Sequence, residues 1–192
     1  MTTCTTSIAT KELEVRYGKT VAVTDVNLDI PAGSLLSVIG PNGAGKSALL
    51  KALAGAVEIH SGDIDIPGPP PSFVMQSTEV DPSLPISVND VVSLARYSNR
   101  GPFKRFRKED RDAVDEAIER LNLKDLAKRQ LHELSGGQRQ RVLVAQGLAQ
   151  DSNVLLLDEP INGLDLLSRD IILEMITEEV NAGRTIVLTT HN

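Results

Sequence analysis

The chain has 192 residues, 41% of them hydrophobic but only 3% aromatic, and a formal net charge of −6. That length suits one domain, or one domain carrying a subdomain, with a core of Leu, Ile, Val and Ala and no tryptophan. The acidic balance argues against a general nucleic-acid binder, the single Cys4 excludes an internal disulfide framework, and no apolar run approaches the ~18 residues that span a bilayer.

In chain order, the opening MTTCTTSIAT has no basic stretch leading into an apolar one, so no leader is expected and the chain reads as soluble and cytoplasmic. Residues 12–17 (ELEVRY) and 21–30 (VAVTDVNLDI) alternate as strands of an antiparallel sheet do. The run SLLSVI at 34–39 is a buried strand leading into glycines, and 46–54 reads as a helix ended by Gly55. Short strands are expected at 62–66 and 72–76, around the proline turn PGPPP. From about 81 to 150 the pattern turns helical, with helices at 87–97, 108–121 and 135–149. VLLLDEP (154–160) returns to a buried strand, 165–181 is helical, and TIVLTT (185–190) is a last strand. Strands alternating with helices give an α/β class with a mixed central sheet, an N-terminal antiparallel β subdomain and an inserted helical subdomain. The core is then 1–80 with 151–192, and the helical insertion about 81–150.

GPNGAGKS, comprising Gly40, Pro41, Asn42, Gly43, Ala44, Gly45, Lys46 and Ser47, matches G-x-x-x-x-G-K-[ST] between a strand and a helix. Gly43 and Gly45 let backbone N–H groups approach phosphate oxygens without a Cβ in the way. Lys46 offers those oxygens a point charge, and the Ser47 hydroxyl can ligate Mg²⁺. VLLLDE supplies the second half of such a site, delivering Asp158 to the carboxyl end of a strand, the edge where open α/β sheets bind ligands. Asp158 is expected to hold Mg²⁺ through a water and Glu159 to polarise the attacking water. Nucleotide binding follows.

LSGGQRQR (134–141) raises a different question, because adjacent glycines in the first turn of a helix cost roughly 0.5–1 kcal/mol each against alanine. Ser135 and Gln138 fit a capping box, which puts Gly136 and Gly137 at an exposed helix N-terminus with bare N–H groups. That is a second anion site. A single phosphate loop already satisfies one triphosphate, so this one needs either a second ligand or a second molecule.

With GPNGAGKS before it and VLLLDEP after it, LSGGQ resembles the signature motif of ABC-type ATPases, P-loop NTPases that power transporters. The resemblance covers essentially the whole chain. It implies two subunits packed head to tail, as a homodimer or with a paired ABC subunit. Ser135 and Gly137 of one would then contact the γ-phosphate of the ATP held by the other. By the same likeness, Tyr17 stacks on adenine, and Gln76 reaches Mg²⁺ and the attacking water. His191 hydrogen-bonds the γ-phosphate, and Asp165 of NGLD (162–165) belongs to the loop that communicates across the dimer. Three features depart from the family pattern. Asn192 stands where Asp is usual, NGLD replaces a commoner Ser-x-x-Asp, and family members usually continue beyond the histidine with another strand and terminal helices. A truncated chain is therefore expected, with its last strand left as a sheet edge.

QSTEVDPSLPISVNDVVSLARYSNRGPFKRF (76–106) and DEPINGLD are similar to bacterial manganese, zinc and iron importers. That likeness implies permease subunits docking on Glu79–Tyr97, an extracytoplasmic substrate-binding protein as an indirect partner, and a peripheral place on the inner face of the cell membrane. The basic run 100–111 is either a contact for permease or anionic headgroups or a solvated loop. Two other readings stay open: an ABC ATPase of the cluster-assembly type that serves no transporter, and a regulatory subunit that binds nucleotide without hydrolysing it.

Overall fold

The computed structural model describes residues 6–76, 85–100 and 106–191. Strands β1 (Thr6–Tyr17) and β2 (Thr20–Pro31) form an antiparallel pair, and β4 (Ser61–Asp65) joins the other edge of β1. β1 starts well before residue 12, where alternation alone would begin it. Ile8 and Thr10 are buried at even positions, but Leu13 and Val15 at odd ones. The phase flips at Glu12, which sits at φ 48 and donates its N–H to Asn27 Oδ1 at 2.8 Å. An irregular register here turns the strand over and hides its first half from a period-two reading.

The second sheet runs in the order β3 (Leu35–Ile39), β7 (Thr185–Thr190), β6 (Val154–Leu157), β5 (Ser72–Val74), with β3/β7 and β6/β7 parallel. The last strand is thus interior, correcting the expectation that it would be an edge. β7 is buried from Thr185 through Thr189, as suits a strand paired on both sides. β3, with Leu35 and Ile39 exposed, takes the edge instead.

The chain divides into two compact units. The first takes residues 1–73, 152–159 and 177–192. There α1 (Lys46–Leu53) buries Leu49, Leu50 and Leu53 with Leu13 of β1, Leu156 of β6 and Val187 of β7. The second takes 74–151 and 160–176 and packs α2 (Val88–Arg100), α3 (Lys108–Arg120) and α4 (Gly136–Ala149) together. A buried cation holds these three helices. Arg96 Nε donates to Asp110 Oδ1 of α3 at 3.1 Å, and its Nη1 donates to the Ala149 carbonyl of α4 at 2.9 Å. Asp110 also accepts from the Arg107 N–H at 2.9 Å, so one carboxylate caps α3 and fixes it to α2. Helix α5 (Leu166–Asn181) follows β6. Among the described residues no helix is long and apolar enough to cross a membrane.

Candidate nucleotide-binding site

The loop after β3 leads straight into α1. Gly40 N–H lies 3.4 Å from the Thr190 carbonyl, and a turn closes with Ala44 N–H donating to Pro41 O at 3.2 Å. Gly45 caps α1 at φ 88 with no side-chain cap, so the first-turn N–H groups remain for a ligand. Glycine at 45 is dictated from behind the loop. Besides the left-handed φ, a Cβ there would overlap the Ala22 carbonyl oxygen of β2 and lie 3.2 Å from Val23 Cγ2. Lys46 is buried, its Nζ donating to Gly40 O at 2.7 Å and Pro41 O at 3.0 Å and standing 3.9 Å from Glu159 Oε1. An open cleft of about 370 Å³ brings together Tyr17, Asn42, Gly43, Lys46, Ser47 and Glu159. Tyr17 is 49% exposed at its mouth, at the end of β1.

The acidic pair is set by the β6/β7 register. Leu157 pairs with Leu188, so one residue further Asp158 comes level with Thr189. Thr189 Oγ1 donates to Asp158 Oδ1 at 2.7 Å and accepts the Glu159 N–H at 2.9 Å. Glu159 itself is at φ 49, a left-handed conformation uncommon for this residue type. Sequence reasoning does not single out Thr189, because TIVLTT carries threonine at three of its six positions and nothing local sets one of them apart. His191 is exposed and follows Thr190, whose register partner Ile39 directly precedes the loop. The carboxyl ends of β3, β6 and β7 thus converge on the cleft side, as in other open α/β sheets.

The Ser47 hydroxyl and the second oxygen of Asp158 are hard oxygen donors, the kind Mg²⁺ takes alongside several waters. Among the described residues no group of three or more His, Cys, Asp or Glu side chains could hold a metal. A cation here would therefore draw its other ligands from phosphates and water. On that chemistry the residues fit Mg²⁺.

Gln76 and the LSGGQ residues belong to the second unit. Gln76 lies exposed just past β5. The capping box is formed as read: Ser135 Oγ accepts from Gln138 N–H at 3.2 Å, and Gln138 Oε1 accepts from Ser135 N–H at 3.0 Å. The two glycines are not equivalent. A Cβ on Gly136 would meet nothing within 4 Å, whereas one on Gly137 would overlap Asp165 Oδ2 and lie 2.6 Å from Ser168 Oγ. A side chain at 137 would thus have to displace the Asp165 and Ser168 side chains, where the start of α5 presses on α4. Asp165 caps α5 by accepting the Ser168 N–H at 2.9 Å. Bonds from Ser168, and more weakly the nearby Arg141 charge, hold the Asp165 carboxyl below its ordinary value. Arg141 is itself buried, which lowers its pKa, and its Nη1 donates to the Leu121 and Asn122 carbonyls at the end of α3. Part of the Glu79–Tyr97 segment and of the basic run, including Lys104 and Arg105, lies outside the described residues.

Residues 23–162 match the profile of the family described as ABC transporter. The manganese transport system ATP-binding protein MntB of Listeria innocua is 38% identical over 187 residues, which are 94% of this chain and 78% of that protein. The zinc transport system ATP-binding protein TroB of Treponema pallidum is 35% identical over 193 residues, covering 97% of this chain and 73% of that one. Among solved structures, a metal-chelate type ABC transporter in an inward-facing conformation matches with a TM-score of 0.86 at 34% identity, over 97% of this chain and 73% of that one. A dimeric bacterial ABC transporter cassette matches with a TM-score of 0.82 at 26% identity, over 96% of this chain and 88% of that one.

Proposed function

Because the chain belongs to the ABC transporter family, we propose that it binds and hydrolyses ATP to energise a membrane importer of metal ions or metal chelates. The observation that carries this reading is the single cleft shared by Tyr17, the uncapped N-terminus of α1, Lys46 and Glu159. Tyr17 offers its ring to adenine by stacking. The loop N–H groups take the phosphate oxygens, and two loop carbonyls fix the Lys46 charge over them before nucleotide arrives. Ser47 and Asp158 would hold Mg²⁺, with Gln76 the further ligand that the family likeness implies, and the ion would supply neutralisation of phosphate charge. Glu159 orients and polarises the attacking water, and His191 hydrogen-bonds the γ-phosphate.

The α4 N-terminus completes the site of a second subunit. Ser135, Gly136, Gly137 and Gln138 form its rim, with Gly136 leaving the open space a ligand needs. Closure of two subunits over two ATP molecules moves the permease, and hydrolysis resets it. The permease contact falls on α2, where Leu94 and Tyr97 are exposed. In the cell the subunit then sits on the cytoplasmic face of the membrane, indirectly serving an extracytoplasmic binding protein.

The test is steady-state ATP hydrolysis with Mg²⁺ as a function of protein concentration. Activity per subunit that rises with concentration and disappears in Ser135→Arg is the expected result. ATP binding without turnover at any concentration, with purified permease also present, would instead favour a non-hydrolysing regulatory subunit.

A further inference from the structure

Resting on the ATPase reading, we propose that Thr189 is a positioning residue that sets the geometry of both acidic groups through one hydroxyl. Thr189 is fully buried in β7, next to the β6 end that carries Asp158 and Glu159. Its Oγ1–H donates to Asp158 Oδ1 at 2.7 Å, which turns that carboxylate and leaves the other oxygen for a cation. The same oxygen accepts the Glu159 N–H at 2.9 Å. That second bond holds the Glu159 amide just past the end of β6, where the chain turns at φ 49. A hydroxyl is the small side-chain group that donates to a carboxylate and accepts from an amide at once. Valine has nearly the same shape and suits a buried strand, but it removes the hydroxyl oxygen that accepts the Glu159 N–H. Thr189 reaches no substrate atom itself. It acts by fixing where Glu159 points into the cleft.

The experiment compares Thr189→Val and Thr189→Ser with wild type, measuring kcat and KM for ATP, together with hydrogen exchange of the Glu159 amide in the nucleotide-free chain. Thr189→Val is expected to lower kcat about ten- to a hundredfold, the worth of a hydrogen bond that serves a charged group. KM should stay within about twofold, since the phosphate loop is untouched. Thr189→Ser, which keeps the hydroxyl, is expected to recover most of the loss, and the Glu159 amide to lose protection in the valine variant alone. Wild-type turnover in Thr189→Val, or a serine variant no better than valine, overturns the proposal. Should valine not fold at this site, Thr189→Ala is held to the same criteria. A wild-type chain without turnover, with purified permease also present, would sink the ATPase reading. The Glu159 amide would then decide alone, with lost protection supporting the positioning role and unchanged protection overturning it.

Discussion

The N-termini of α1 and α4 are both built with glycine, just before the first helix and inside the first turn of the second, yet they are finished in opposite ways. α1 has no side-chain cap, and a buried lysine lies over its first turn. α4 is closed by the reciprocal Ser135–Gln138 bonds, and one of its two glycines is already filled by Asp165 and Ser168 of the same chain. An uncapped terminus with its own cation can hold a polyphosphate by itself. A capped terminus has little left to offer: the N–H groups of Gly136 and Gly137 and the serine hydroxyl. That suits it to completing a ligand held elsewhere. Glycine also carries different meanings at the two ends. Gly45 yields to the β2 backbone and Gly137 to the loop before α5, so neither is explained by a ligand alone.

Several substitutions would break or sharpen this contrast. The largest expected effect is at the α1 site, where Glu159→Gln should slow ATP turnover about a thousandfold while leaving binding intact. Size-exclusion chromatography should then show an ATP-trapped dimer, and a monomer with ATP bound would count against completion of the site by a second α4. Next comes the anchor at the far end of α4. Arg96→Ala takes away the cation beside the buried Asp110 carboxylate, which keeps the Arg107 N–H, a loss of about 3–5 kcal/mol in urea unfolding, with little change expected in the affinity of any folded chain for ATP. Lys46→Ala should weaken ATP binding about a hundredfold, ~2.7 kcal/mol by calorimetry. Unchanged affinity would show that the uncapped terminus is not the nucleotide site. Ser135→Ala should cost only about 1 kcal/mol of stability as a lost cap, and it should lower turnover without altering ATP affinity.

The smallest effect concerns acid. Because the folded pKa of Asp165 is depressed, its stabilising contribution is complete above the ordinary carboxylate value of 3.8 and is lost as pH falls through the lower folded value. In Asp165→Asn that segment of the stability–pH curve should be shallower. An unchanged curve would show that the Ser168 bonds do not stabilise the ionised Asp165.

Much was legible because it was local. The capping box of Ser135 and Gln138 is a four-residue pattern, and the strand–loop–helix setting of GPNGAGKS lies within one short stretch. α4 and β7 begin and end close to where periodicity puts them. The first half of β1 was hidden by the phase flip at Glu12, whose partner Asn27 is on another strand. The order of the second sheet was also beyond reach, since the last strand in sequence, β7, lies between the third and the sixth.

The sequence by itself determined the chemical inventory: a phosphate loop with its lysine, two acids at a strand end, a capped glycine turn and an α/β frame to carry them. These depend on residue type and on spacings of a few positions, which the chain states directly. Only the tertiary structure decided which residues shape that inventory from a distance. Thr189 bridges two acids that lie 31 and 30 positions earlier in the chain. The Ala22 carbonyl forces glycine at 45, and the Asp165 and Ser168 side chains occupy the space that a larger residue at 137 would need. Such constraints arise where strands pair and loops press on helices, so they take their form from contact across the fold and not from neighbours along the chain.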